Sequence, residues 1–198
     1  MADEQFLQNE AMIAESVAIS SRRKFLNQLA YGSLLTLGMP ALTKAAIKHL
    51  PSRKSLAFQN THTGDKLKLT YFEQGRYVKD ALKEISYLFR DIRTGDLHTI
   101  DTALLDQLFD LKTLLGVRKP FHIVSGYRSP ATNAKLCKKS HAVARNSFHM
   151  QGRAIDIRIE GVETKVIRNA ALAMGHGGVG YYPKADFIHL DTGEFRAW

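Results

Sequence analysis

The chain has 198 residues, 44% apolar and 24% charged, which suits a soluble globular protein with one packed core; it holds no low-complexity tract and no internal repeat. Its formal net charge is +9, but the basic residues lie in scattered short groups (Arg22, Arg23 and Lys24; Arg53 and Lys54; Lys138 and Lys139) without interleaved aromatics, which argues against a nucleic-acid-binding module. Cys137 is the lone cysteine, so no internal disulfide is available, and its neighbours Leu136, Lys138 and Lys139 suit a structural or surface residue better than a nucleophile.

Residues 1–45 read as an export address. Arg22 and Arg23 are followed by Lys24, Phe25 and Leu26, the pattern of a twin-arginine signal. The apolar stretch from Leu29 to Leu42 is too short to span a bilayer comfortably, and Gly32, Gly38 and Pro40 interrupt it. Small residues at Thr43 and Ala45 suit cleavage after Ala45. Export of an already folded chain also fits the absence of a cysteine pair.

Residues 46–64 read as a leader into the domain. Leu67, Leu69 and Tyr71 alternate with polar residues and predict a strand. Val78, Leu82, Ile85 and Phe89 recur at helical spacing, predicting a helix over 77–90 that ends before Gly95. Asp101 caps a second helix, whose buried stripe is Leu104, Leu105, Leu108, Phe109 and Leu115 and whose end is Gly116. Residues 121–124 form a short central strand, and Ser129 and Pro130 open a third helix. A loop rich in Ser, His and Arg covers 140–149. A strand over 153–159, a helix over 163–174 and two closing strands near 178–182 and 187–191 complete the chain. Without regular βαβ alternation, this is a compact α+β domain with a mainly antiparallel sheet flanked by helices.

Two of the eight histidines stand out by their company; His62, His98, His122 and His141 read as ordinary surface or core residues. Residues 147–156 have the pattern S-x-H-x-x-G-x-A-x-D. Gly152 permits a tight turn after His149, and small Ala154 leaves room on the strand face that it shares with Asp156. Downstream, His189 and Asp191 are two apart on a strand and share a face. Two neutral imidazoles and a carboxylate suit one Zn²⁺ per chain, with the fourth tetrahedral position left for water, as in catalytic rather than structural sites.

The H-x-x-G-x-A-x-D segment with a later strand histidine resembles the zinc metallopeptidases that include VanX-type D,D-dipeptidases, D-alanyl-D-alanine carboxypeptidases and the hedgehog N-terminal fold. Ser125-Gly-Tyr-Arg-Ser129, Gly177-Gly-Val-Gly-Tyr-Tyr-Pro183 and His189-Leu-Asp-Thr-Gly193 narrow the resemblance to the murein endopeptidase K (YcbK-like) branch, over nearly the whole chain. The resemblance implies a domain over 46–198 in which His149, Asp156 and His189 ligate zinc, Arg128 holds the substrate carbonyl and its developing oxyanion, and Ser147 helps to bind substrate. Ser147 also has a plain reading as a loop hydrogen bond. For the general base, many relatives carry Glu three residues before the last histidine, where this chain has Asp186. Asp191, on the His189 face, is the preferred candidate, with orientation of a ligand as its alternative role. The implied activity is hydrolysis of peptide cross-links in peptidoglycan, either D-Ala to diaminopimelate or diaminopimelate to diaminopimelate, in the periplasm. The twin-arginine translocase is the implied partner in export, and no membrane span or nucleic-acid partner is expected. A zinc-containing peptidoglycan-binding module without catalysis is the alternative.

Overall fold

The computed structural model of the chain describes residues 51–140 and 143–198. The export signal and His141 therefore lie outside the described residues. Among those described, eight strands form one sheet in the order β3-β2-β1-β4-β5-β7-β6-β8. They are β1 (Arg53–Asn60), β2 (Lys66–Glu73), β3 (Arg76–Tyr77), β4 (Phe121–Ser125), β5 (Ala154–Ile159), β6 (Gly178–Tyr182), β7 (Phe187–Asp191) and β8 (Arg196–Ala197). Neighbours run antiparallel except β1 with β4 and β6 with β8. Four helices accompany the sheet: α1 (Lys79–Leu88), α2 (Thr102–Leu115), α3 (Pro130–Lys139) and α4 (Thr164–Met174). The α+β architecture with a mainly antiparallel sheet is the one expected from the sequence.

Local chemistry sets the helix ends. The Asp101 carboxylate accepts from the Ala103 amide at the start of α2, and Gly116 ends that helix in the left-handed region at φ 65°. Ser129 caps α3 by accepting from the Thr132 amide, with Pro130 in the first turn. α1 is shorter than its periodicity suggests, because Tyr77 pairs with Phe72 in β3 and Val78 is the N-cap. The reading of 46–64 as a leader is overturned. β1 sits inside the sheet, paired with β2 and β4, and buries Leu56, Phe58 and Asn60. With Lys54 and Asn60 at its ends, that strand shows too little apolar alternation to announce itself.

Strand pleating divides the work between the two faces of the sheet. Ile155, Ile157 and Ile159 of β5, Ile188 and Leu190 of β7 and Val179 of β6 are buried in one core with Leu104, Leu105, Leu108 and Leu111 of α2 and Ile167 and Ala171 of α4. The opposite face presents Ala154 and Asp156 of β5, Phe187, His189 and Asp191 of β7, and Gly178, Gly180 and Tyr182 of β6. A β-bulge between Ile123 and Ser125 sets Ser125 opposite Asp156, while Ile123 still pairs with Ile157. The extra residue thus turns the end of β4, and the Ser125–Ser129 stretch after it, onto the second face.

That stretch is pinned from below by Asp91, which is 2% exposed. Its carboxylate accepts from the Ser129 amide at 2.9 Å, the Ser129 hydroxyl at 2.7 Å and the Arg93 amide at 2.9 Å. Burial acts to raise the Asp91 carboxyl, but hydrogen bonds from Thr132, Ser129 and the Arg93 amide outweigh it and hold it at about 2, against 3.8 for an unperturbed aspartate. The stability this contributes is present above about pH 4 and is lost as pH falls through about 2. Asp91→Asn is expected to cost about 1–3 kcal/mol at pH 7. In urea unfolding the gap to wild type narrows as pH drops toward 2.5; a gap of unchanged size at low pH contradicts the account.

Candidate metal centre

Three elements bring three donor atoms together. Ser147 caps a 3-10 turn over Phe148–Gln151, its hydroxyl accepting from the His149 amide, and Gly152 closes the turn at φ 65°. A side chain at Gly152 would meet the Thr99 carbonyl at 2.2 Å, so this position requires glycine twice over, for its φ and for its space. The turn lays His149 over β5, where Asp156 pairs directly with His189 of β7. His149 Nε2 lies 3.3 Å from Asp156 Oδ1, His189 Nδ1 lies 2.9 Å from the same oxygen, and the two ring nitrogens are 3.2 Å apart. Of the described residues, this is the one group of His, Cys, Asp or Glu whose geometry can hold a metal ion, with its ligand atoms within 4.8 Å of one another.

The far side of each ring is also held. His149 Nδ1–H donates to the Gly126 carbonyl at 2.7 Å, which leaves Nε2 with a lone pair facing the cluster. His189 Nε2 donates to Asp191 Oδ2 at 3.0 Å, which leaves Nδ1 facing the cluster. Burial acts to raise the Asp156 carboxyl, and the charges and hydrogen bonds of His149 and His189 outweigh it, holding it far below the usual carboxylate range. Burial acts to lower His189, and Asp156 and Asp191 overcome it, pushing the ring up to about 9. Two carboxylates around one buried imidazole thus demand a positive charge. Two imidazoles of fixed tautomer and one carboxylate are a donor set that fits zinc.

The other residues singled out from the sequence divide. Arg128 is at the cluster: its Nη2 lies 3.7 Å from Asp156 Oδ2 and 3.4 Å from Ser125 Oγ, and its Nη1 is 3.3 Å from Asn133 Oδ1. Burial lowers its pKa and Asp156 acts to restore it. Ser147 lines the cleft, and the structure shows its hydroxyl in the plain reading, as a cap on the His149 turn. Asp186 is not brought to the cluster. The 3-10 turn Pro183–Ala185 and a left-handed φ of 52° aim it instead at Thr164 and Arg158, in a separate hollow with His122 and Glu163. Asp191 does share the His189 face, but behind the ring. It is 0% exposed, and both its oxygens are taken by His189, Arg196, Gly178 and Gly193. These contacts place Asp191 where it can orient His189, the alternative role that the sequence offered for it.

The family model described as peptidoglycan L,D-endopeptidase MepK, Peptidase_M15_2, matches residues 48–198. The chain belongs to the peptidase M15_2 family. Peptidoglycan L,D-endopeptidase MepK of Escherichia coli strain K12 is 42% identical over 181 residues, covering 90% of this chain and 97% of that protein. The probable peptidoglycan L,D-endopeptidase MepK of Haemophilus influenzae is 38% identical over 167 residues, covering 83% and 90%. No solved structure matches the chain.

In this M15_2 peptidase the cluster opens into a cleft of about 430 Å³, whose wall includes Tyr182, Phe187 and Trp198. These three residues escaped the reading of the sequence. Phe187 stacks on Tyr182 with ring centroids 4.6 Å apart, the Trp198 indole donates to the Tyr182 hydroxyl at 2.8 Å, and Trp198 lies 5.3 Å from the His189 ring. The signal for them was the glycine at 180, across the ladder from His189. A side chain there would meet the Trp198 indole at 2.7 Å. Trp198 is the sole tryptophan of the chain, so Gly180→Ala is expected to push the indole outward and shift its fluorescence to the red. Emission unchanged from wild type contradicts this placement.

Proposed function

We propose that this chain is a zinc-dependent peptidoglycan endopeptidase that cuts the L,D bond between two diaminopimelate residues of cross-linked stem peptides. The observation that carries the reading is the convergence of His149 Nε2, Asp156 Oδ1 and His189 Nδ1 beside the Arg128 guanidinium in an open cleft. The shared name of the relatives supports the substrate and the choice of bond. Residues 1–45 then serve as a twin-arginine signal, the domain over 46–198 acts in the periplasm, and the translocase is its partner in export. Among the described residues no helix is long and apolar enough to cross a membrane.

Bound by His149, Asp156 and His189, zinc supplies a Lewis acid for the scissile carbonyl and an acidified water. Arg128 sets a guanidinium, confined by Asn133 and Ser125, beside the point where the carbonyl oxygen gains negative charge. Gly126 and Asp191 keep the outer protons on His149 Nδ1 and His189 Nε2. Tyr182, Phe187 and Trp198 offer an apolar wall to the stem peptide and thin the water around the bond.

Incubation of the chain with purified cross-linked muropeptides, read by mass spectrometry, tests the reading. L,D-linked dimers are expected to fall to monomers, to persist when a chelator is added, and to be cut again when zinc is restored; His189→Ala leaves them intact. Dimers that survive a zinc-loaded chain would show a binding module in place of an enzyme. Arg128→Ala is expected to lower kcat about 100- to 1,000-fold while zinc content stays at that of wild type. A kcat within twofold of wild type would remove Arg128 from the oxyanion role.

A further inference from the structure

The shortest strands of the sheet are β3 and β8, and β8 sits at an edge beside β6 with two residues in the ladder. Its Arg196 nevertheless makes one of the best-formed ion pairs in the described residues. Nη2 lies 2.7 Å from Asp191 Oδ2 and Nη1 lies 3.1 Å from Asp191 Oδ1, a two-pronged grip on a carboxylate with no solvent exposure. The gripped oxygen Oδ2 is the one that accepts the hydrogen bond from His189 Nε2. Oδ1 is held as well by the amides of Gly178 and Gly193, at 3.1 and 2.8 Å.

The backbone leaves space for this grip. Gly178 pairs with Arg196 on one side and with Asp191 on the other. A side chain there would stand 2.4 Å from Asp191 Oδ2 and 2.7 Å from Arg196 Nη1, so the ion pair occupies the volume that a residue other than glycine would fill. The guanidinium also lies against the Phe148 ring at 5.5 Å and the Trp198 ring at 5.1 Å. Phe148 precedes His149 in the 3-10 turn. Arg196 therefore touches the support of both histidines and reaches neither of them.

We propose that Arg196 is a positioning residue of the metal centre: by fixing the plane of the Asp191 carboxylate it fixes the rotation of the His189 ring, and so keeps Nδ1 turned toward His149 and Asp156. A buried carboxylate without its cation would turn toward other donors or admit water, and His189 would follow it. A planar fork constrains that plane where a point charge does not. The inference rests on the zinc reading above.

The test is zinc affinity of the full chain, measured by competition with a chromophoric chelator and independent of turnover. Arg196→Ala is expected to weaken zinc binding about 10- to 100-fold. Arg196→Lys, which keeps the charge and loses the fork, falls between that variant and wild type. Guanidinium ion at millimolar concentration recovers part of the loss in Arg196→Ala and has no effect on wild type. At saturating zinc, Arg196→Ala keeps the wild-type KM for muropeptide dimers. Circular dichroism of each variant confirms that it folds; if Arg196→Ala does not, the lysine variant and its intermediate affinity decide. Wild-type zinc affinity in both variants overturns the proposal, as does a change confined to KM, which would make Arg196 a substrate contact. A wild-type chain that takes up no zinc overturns the metal reading itself.

Discussion

The antiparallel pairing of β5 with β7, in the register that sets Asp156 opposite His189, is the constraint on which the site depends. Because side chains alternate along a strand, one register delivers Asp156 and His189 to one face and the Ile155, Ile157, Ile188 and Leu190 set to the other. A slip by one residue would bury Asp156 in the core and expose isoleucine to the cleft. The hydrophobic core is thus what enforces the ligand geometry, and the site inherits its precision from apolar packing beneath it. His149, which comes from outside the ladder, needs its own devices: the Ser147 cap, the left-handed Gly152 and the Gly126 carbonyl.

Polar groups around the cluster come in paired layers. Asp156 stands between the two histidines and Arg128, and Asp191 between His189 and Arg196. An isolated buried carboxylate would be costly, but each of these has a cation and hydrogen-bond donors in contact. Stability and chemistry draw here on one network, so substitutions within it are expected to act on both.

Much of this was legible in the sequence, and the exceptions have physical reasons. β5 and β7 were readable because their isoleucines alternate with polar residues, and His189 and Asp191 share a face by simple strand periodicity. β1 was missed because a central strand with Lys54 and a buried Asn60 lacks that alternation; Asn60 is there to satisfy the Leu88 carbonyl and the His62 and Thr63 amides. Asp186 lies away from the cluster because of a 3-10 turn and a left-handed residue, which sequence spacing does not reveal. Arg196 and Trp198 were invisible for a different reason. Their place beside Asp191 and His189 follows from parallel pairing at the edge of the sheet, a contact of two residues with no periodicity of its own. The glycines at 178 and 180, which leave room for both, were quoted as part of a family likeness and have their physical meaning only in the fold.

The central claim, that His149, Asp156 and His189 form one zinc site, is tested most directly by zinc X-ray absorption of the metal-loaded chain. The account predicts a first shell of nitrogen and oxygen at about 2.0–2.2 Å, with the scattering signature of two imidazoles, reduced to one in His149→Ala. A sulfur ligand at about 2.3 Å would place the metal at Cys137, and a shell of oxygens without imidazole would place it outside this cluster; either contradicts the account.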